Sequence, residues 1–219
     1  MKHIALVFIF LFSSLSFSQT IVQIDSVAKV MCDNLPKYKE IKNDPLKLNT
    51  LYEKELYPYL GTLEESKAQE VGKKIYYRLQ RNCFRFRELL DRLNPPVGET
   101  ERSLEKPKPD ITDDDLIKFK KTKAFMYTEV DGQVTNVTLQ DGLWVDNFAD
   151  GTYSKLIYKW INKNEFELVF IESNNETRAN FSVKGDRLVY SILFKKPDHY
   201  ILSVNIFGQN VYEEFKLFY

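Results

Sequence analysis

Turn signals recur through the second half of this 219-residue chain at a nearly even interval, and they limit what it can fold into. They fall at Asp131-Gly132, Asp141-Gly142, Asp150-Gly151, Asn162-Lys163-Asn164, Ser173-Asn174-Asn175, Lys184-Gly185-Asp186, Lys195-Lys196-Pro197-Asp198 and Phe207-Gly208-Gln209-Asn210. A spacing of about 8–12 residues is that of a meander of short antiparallel strands. The segments between the turns alternate with period two. Leu156, Tyr158 and Trp160 share one face, with Lys155 and Lys159 on the other. Phe166, Leu168 and Phe170 alternate with Glu165 and Glu167, and Leu188, Tyr190, Ile192 and Phe194 repeat the pattern. Eight turns separate nine candidate segments. A twisted sheet of that many consecutive strands curls and closes, because closure removes exposed edges.

The first half reads differently. Ile21, Ile24, Ala28, Met31 and Leu35 recur at helical steps up to Pro36. Asn43-Asp44-Pro45 is a helix start, and Leu48, Leu51, Tyr52 and Leu56 give that helix an apolar face, closed by Pro58 and Gly61. Thr62-Leu63-Glu64-Glu65 has the form of a capping box. It opens a third helix whose apolar seam runs through Val71, Ile75, Leu79, Cys83, Phe86, Leu90 and Leu93 to Asn94-Pro95-Pro96. Residues 95–111 hold four prolines and many charges and read as a linker. Thr112 followed by Asp113, Asp114 and Asp115 reads as one more helix start.

The expected fold class is α+β. About three N-terminal helices precede an antiparallel meander of about eight or nine strands, closed or nearly closed into a barrel. The expected organisation is a signal peptide at 1–18, a helical domain at 19–94, a linker at 95–111 and the barrel domain at 112–219.

The signal peptide is read from Lys2 and His3, the apolar run Ile4 to Phe12, and the small-x-small site Ser16-Phe17-Ser18. The run is too short to span a bilayer, and no later segment is apolar enough for a transmembrane helix. The expected location is therefore periplasmic or extracellular. Cleavage takes Lys+Arg from 31 to 30 against 31 Asp+Glu, a net charge of −1. That balance gives no reason to bind nucleic acid. In an exported chain the two cysteines, Cys32 and Cys83, read as one disulfide stapling the first helix to the third. It would close 51 positions, worth roughly 4 kcal/mol in the chain-entropy model.

Chemistry is sparse. The mature chain has one histidine, His199, beside a turn; its neighbour Asp198 would point to the opposite face of a strand. Metal-ligand spacings and phosphate-binding loops are missing from the sequence. Asp110, Asp113, Asp114 and Asp115 read as a carboxylate-rich helix start. Glu165, Glu167, Glu213 and Glu214 read as solvent-facing strand positions. No enzyme activity, cofactor or metal is expected.

Two patterns stand out. Trp144, Tyr158, Trp160, Phe166, Phe170 and Tyr190 share one sheet face, as a filled core or as the lining of an apolar ligand pocket. On the third helix Lys74, Arg78, Arg81 and Arg85, with Arg92 beyond, make a basic stripe. It is either a solvated face or a surface for an envelope protein or an anionic glycan.

The stretch Ser154 to Trp160, then Phe166-Glu167-Leu168, Ile171 to Asn175, Lys184-Gly185-Asp186 and Val189-Tyr190 resembles small exported proteins common in Bacteroidetes-type bacteria. The Ser-Phe-Ser-Gln end of the signal peptide is similar too. Most such proteins are uncharacterised, and their β domains are similar to lipocalin-like barrels. Gly142-Leu143-Trp144, at the third segment, also matches the Gly-x-Trp of lipocalins. The resemblance covers roughly residues 120–219 and implies a lipocalin-like barrel; with the aromatic face, the expected function is a non-enzymatic binding protein that holds a small apolar or amphipathic ligand in that barrel. The alternative is a cell-envelope interaction module that acts through its helices and holds no small ligand.

Overall fold

A computed structural model describes residues 16–96 and 101–219. The expected signal peptide up to residue 15 and linker positions 97–100 lie outside them. The chain divides into two compact units, one ending at Phe86 and one beginning at Arg87.

The first unit is helical. Helix α1 (Ser16–Asn34) gives way at Pro36 to a 3-10 turn, Leu35–Tyr38. Its apolar steps Ile24, Ala28, Met31 and Leu35 are buried as the periodicity predicts. Helix α2 (Asp44–Leu51) starts at Asn43, whose side chain accepts from the Leu46 amide at 2.8 Å, with Pro45 just inside. Pro58 does not close this helix. The ladder widens into a π turn over Tyr52–Leu56, and α3 (Tyr57–Leu60) continues to Gly61. The wider turn makes room for the Pro58 ring and its missing N–H.

Helix α4 (Glu65–Asn82) starts without the expected capping box: the Thr62 hydroxyl donates instead to the Tyr59 carbonyl at 2.7 Å. The helix also stops earlier than its apolar seam suggests. Cys83 is extended (φ −129°, ψ 101°), and a separate helix α5 (Phe84–Leu93) follows. The break resets the phase, so Leu89 is buried rather than Leu90. Neither Gly nor Pro marks this break; what coincides with it is the Cys32–Cys83 disulfide, whose Cα atoms are 5.6 Å apart.

The second unit is the barrel. It contains strand β1 (Glu101–Ser103), helix α6 (Asp113–Lys121), and strands β2 (Ala124–Thr128), β3 (Val134–Gln140), β4 (Leu143–Asn147), β5 (Tyr153–Trp160) and β6 (Glu165–Ser173). Helix α7 (Glu176–Phe181) and strands β7 (Arg187–Lys195), β8 (His199–Ile206) and β9 (Tyr212–Phe218) complete it. Strands β2 to β9 pair in sequence order, all antiparallel, and β9 meets β2 to close an eight-stranded barrel. The tight turns form as read: Asp141 (φ 52°) and Gly142 (φ 76°) both take the left-handed conformation that a two-residue hairpin needs.

Eight or nine strands were expected, and the structure reaches nine by a different route. The segment after Ser173-Asn174-Asn175 is helix α7, capped by the Asn175 side chain on the Arg178 amide. The ninth strand is β1, which pairs with β9 from within residues 95–111. Beyond β1, Lys106 bonds Glu165 and the Asp110 amide donates to Leu193 O at 2.7 Å. Glu165 and Glu167 are therefore not solvent-facing: each is 7% exposed, Glu165 under Lys106 and Glu167 paired with Arg187.

Helix α6 starts as read, with the Thr112 hydroxyl accepting from the Asp115 amide. Its apolar residues enter the barrel core: Leu116 and Phe119 are 3% and 0% exposed. Phe119 touches Phe125 at 4.9 Å, Tyr200 at 5.0 Å, Phe166 at 6.0 Å and Trp160 at 6.1 Å. This helix stops one end of the barrel. Among the described residues, no helix is long and apolar enough to cross a membrane.

Candidate functional site

The barrel is packed at the α6 end and hollow at the other. The cross-strand pairs Leu139–Trp144, Trp144–Leu156, Leu156–Phe170 and Phe166–Tyr190 place the alternating apolar residues on the inner face. Five of the six aromatics expected to line a pocket form one cluster around Phe166. Tyr190 stacks on Phe166 at 5.1 Å, Tyr158 meets it at 4.9 Å, Trp160 at 5.6 Å and Trp144 at 5.8 Å. With Phe119, the Tyr158, Trp160 and Phe166 rings fill the stopped end, and Lys120 caps Trp160 at 4.2 Å. Trp144, Phe170 and Tyr190 face the other way, into a cavity of about 630 Å³.

Leu156, Leu168, Leu188, Val204, Ile206 and Phe215 complete most of its apolar wall. The volume is within the usual range for a small-molecule site, about 300–1,000 Å³. A compact polar group is set into that wall. Trp144 Nε1 donates to Asp146 Oδ1 at 2.7 Å, and the Tyr127 and Tyr190 phenols stand close enough to feel its charge. Arg178, on α7, donates to Glu129, which also accepts from the Thr135 hydroxyl at 3.0 Å.

Burial raises the Asp146 carboxyl to about 6, against the opposing pull of the Trp144 hydrogen bond and Arg178. Burial pushes both phenols up as well, so they remain neutral donors. Burial alone would weaken the Arg178 proton, but Tyr127, Glu129 and Asp146 together hold it above the ordinary arginine value. The arrangement is a mostly apolar chamber with charge-compensated polar groups in its wall, the Arg87–Glu213 pair at 3.4 Å among them. It can bury a greasy body and hydrogen-bond one polar feature.

Sequence reasoning missed Tyr127, Glu129, Asp146 and Arg178. Three were within its reach, because Asp146 is two positions from inward Trp144, and Tyr127 and Glu129 continue the parity of buried Phe125. A charged residue in phase with an apolar face is the signal. Arg178 had none, since its segment was read as a strand.

The basic stripe is distributed differently from a continuous helical face. Arg78 is 3% exposed and grips Asp25 through both nitrogens, Nε to Oδ1 at 2.6 Å and Nη2 to Oδ2 at 2.9 Å. Arg81 is 5% exposed, Lys74 is half-buried, and Arg85, beyond the break at Cys83, is exposed.

His199 does meet its neighbour: Nδ1 lies 2.7 Å from Asp198 Oδ1. Opposite-face parity fails there because Asp198 belongs to the turn before β8.

No family model, curated protein or solved structure matches this chain. The architecture itself, an eight-stranded closed antiparallel barrel after a helical region, is consistent with a lipocalin-like fold.

Proposed function

We propose that this is an exported, non-enzymatic binding protein whose barrel holds a small apolar or amphipathic ligand. The observation that carries the reading is the half-hollow interior. Aromatic rings fill the α6 end, and about 630 Å³ is left unfilled at the other, walled mostly by apolar side chains with a few charge-compensated polar groups. A protein that needed the barrel only as a scaffold would gain stability by filling that volume, since unfilled core space costs packing and transfer energy.

Native mass spectrometry of the protein from the exported fraction, against a denatured control, tests this. An extra mass that disappears on denaturation is the expected result. Val204→Trp, which places an indole in the cavity, should abolish it. A bare mass in the native protein, with no uptake of apolar probes, would overturn the reading.

A further inference from the structure

A helix lies at each end of the barrel, and the cavity also reaches a loosely paired side seam. Helix α6 stops one end through Phe119. Across the other lies α7: Phe181 and Arg178 line the chamber, and Arg178 ties the helix to Glu129 after β2 and lies 5.4 Å over the Phe148 ring after β4.

The side opening is the seam between β2 and β9. These strands share the single pair Met126–Phe218, whereas every other seam of the barrel has five pairs or more. Beyond that pair β9 turns to a different neighbour, since β1 occupies its edge at Tyr212, Glu213 and Glu214. The cavity follows the gap outward. Its wall includes the inward Tyr127 and Phe215, the outward Thr128, Glu214 and Lys216 of the same two strands, and Val130 in the turn after β2. The interior is largely apolar, while this rim carries a carboxylate and an ammonium.

We infer that the β2–β9 seam is the passage into the barrel, and that the ligand is an elongated amphipath. It goes in apolar end first and leaves its polar end at the rim between Thr128 and Lys216. This rests on the binding role proposed above. A compact, wholly apolar ligand would have no use for a charged rim continuous with its chamber. An amphipath needs its polar end kept hydrated, because burying an unpaired charge is far costlier than burying a methylene.

Two isomers of palmitate test this, one with an anthroyloxy fluorophore at the ω end and one with it beside the carboxylate. Bound to the full chain, the ω-labelled isomer should be shielded from iodide quenching and the carboxylate-side isomer should remain open to it. Equal shielding, or the reverse order, overturns the inference. Thr128→Trp with Lys216→Trp should slow loading and release together, by about tenfold. Rates untouched by that pair but raised by Phe181→Ala would assign the passage to the α7 end instead. The quenching test needs no variant, so a misfolded double mutant does not decide the matter. If neither isomer binds while the native mass shows another ligand, only the amphipath inference fails. If neither binds and the mass is bare, the binding role fails with it.

Discussion

Asp146 carries a cost that one substitution can reveal. Its carboxyl is buried behind Trp144, and burial raises it from 3.8 to about 6. The folded state therefore binds a proton that the unfolded chain has released between about pH 4 and 6. The group's contribution to stability is most favourable below that window and is lost as pH rises through it. Above it the full penalty stands, roughly 2–3 kcal/mol for a shift of this size. Asp146→Asn keeps an acceptor for the Trp144 N–H and removes the charge. Urea midpoints read by tryptophan emission should show the variant more stable than the parent by roughly that amount at pH 8. The advantage should fade towards pH 4, and a difference independent of pH would refute this account. The same residue shows how much of the site was legible. Period two placed Trp144 inward and implied the same of Asp146, but a lone acid among apolar strand residues reads first as a surface position. Its burial depends on barrel curvature, which no short window of sequence contains.

At the scale of elements, turn chemistry was the most readable layer, because a hairpin such as Asp141-Gly142 is decided by its own two residues. Helix ends were less so. Asn43 and Thr112 cap as read, while Thr62 and Pro58 do not behave as their local sequence suggests. Both depend on how the helical unit packs around them, as does the break at Cys83. The Cys32–Cys83 bond was legible from the expected signal peptide and the even cysteine count, and its cysteines are 51 positions apart. Replacing both cysteines by serine should lower the stability of the helical unit by roughly 4 kcal/mol. Ellipticity at 222 nm reads that unit, and tryptophan emission reads the barrel, where both Trp144 and Trp160 reside. A helical transition unmoved by the loss of the disulfide would show that packing alone holds α1 to α4.

For the whole molecule, the decisive property is that its apolar core is incomplete. The ring cluster around Phe166 and the plug of α6 hold one end, and the other contains a cavity of about 630 Å³. Binding to the folded state alone adds stability by mass action. A ligand supplied at one hundred times its dissociation constant should raise barrel stability by about 2.7 kcal/mol. Chemical denaturation followed by tryptophan emission would show it, and an unchanged midpoint at saturation would mean the ligand binds the unfolded chain equally well or does not enter the barrel. That a barrel forms could be read from the turn ladder. That it closes through one pair at Met126 and Phe218 could not, because the first and last strands are far apart in the chain and meet only in three dimensions.

Strand β1 has a consequence for life at high concentration. A barrel escapes aggregation because it presents no bare strand edge, and a seam held by one pair gives back part of that protection. The three residues Glu101–Ser103 return it by occupying β9 where β2 has left. They do so with charge: Arg102 pairs with Asp91 and reaches Glu213 at 3.4 Å. The short charged segment therefore shields part of the β9 edge. A second polypeptide is thereby denied that stretch of the edge along which sheets grow.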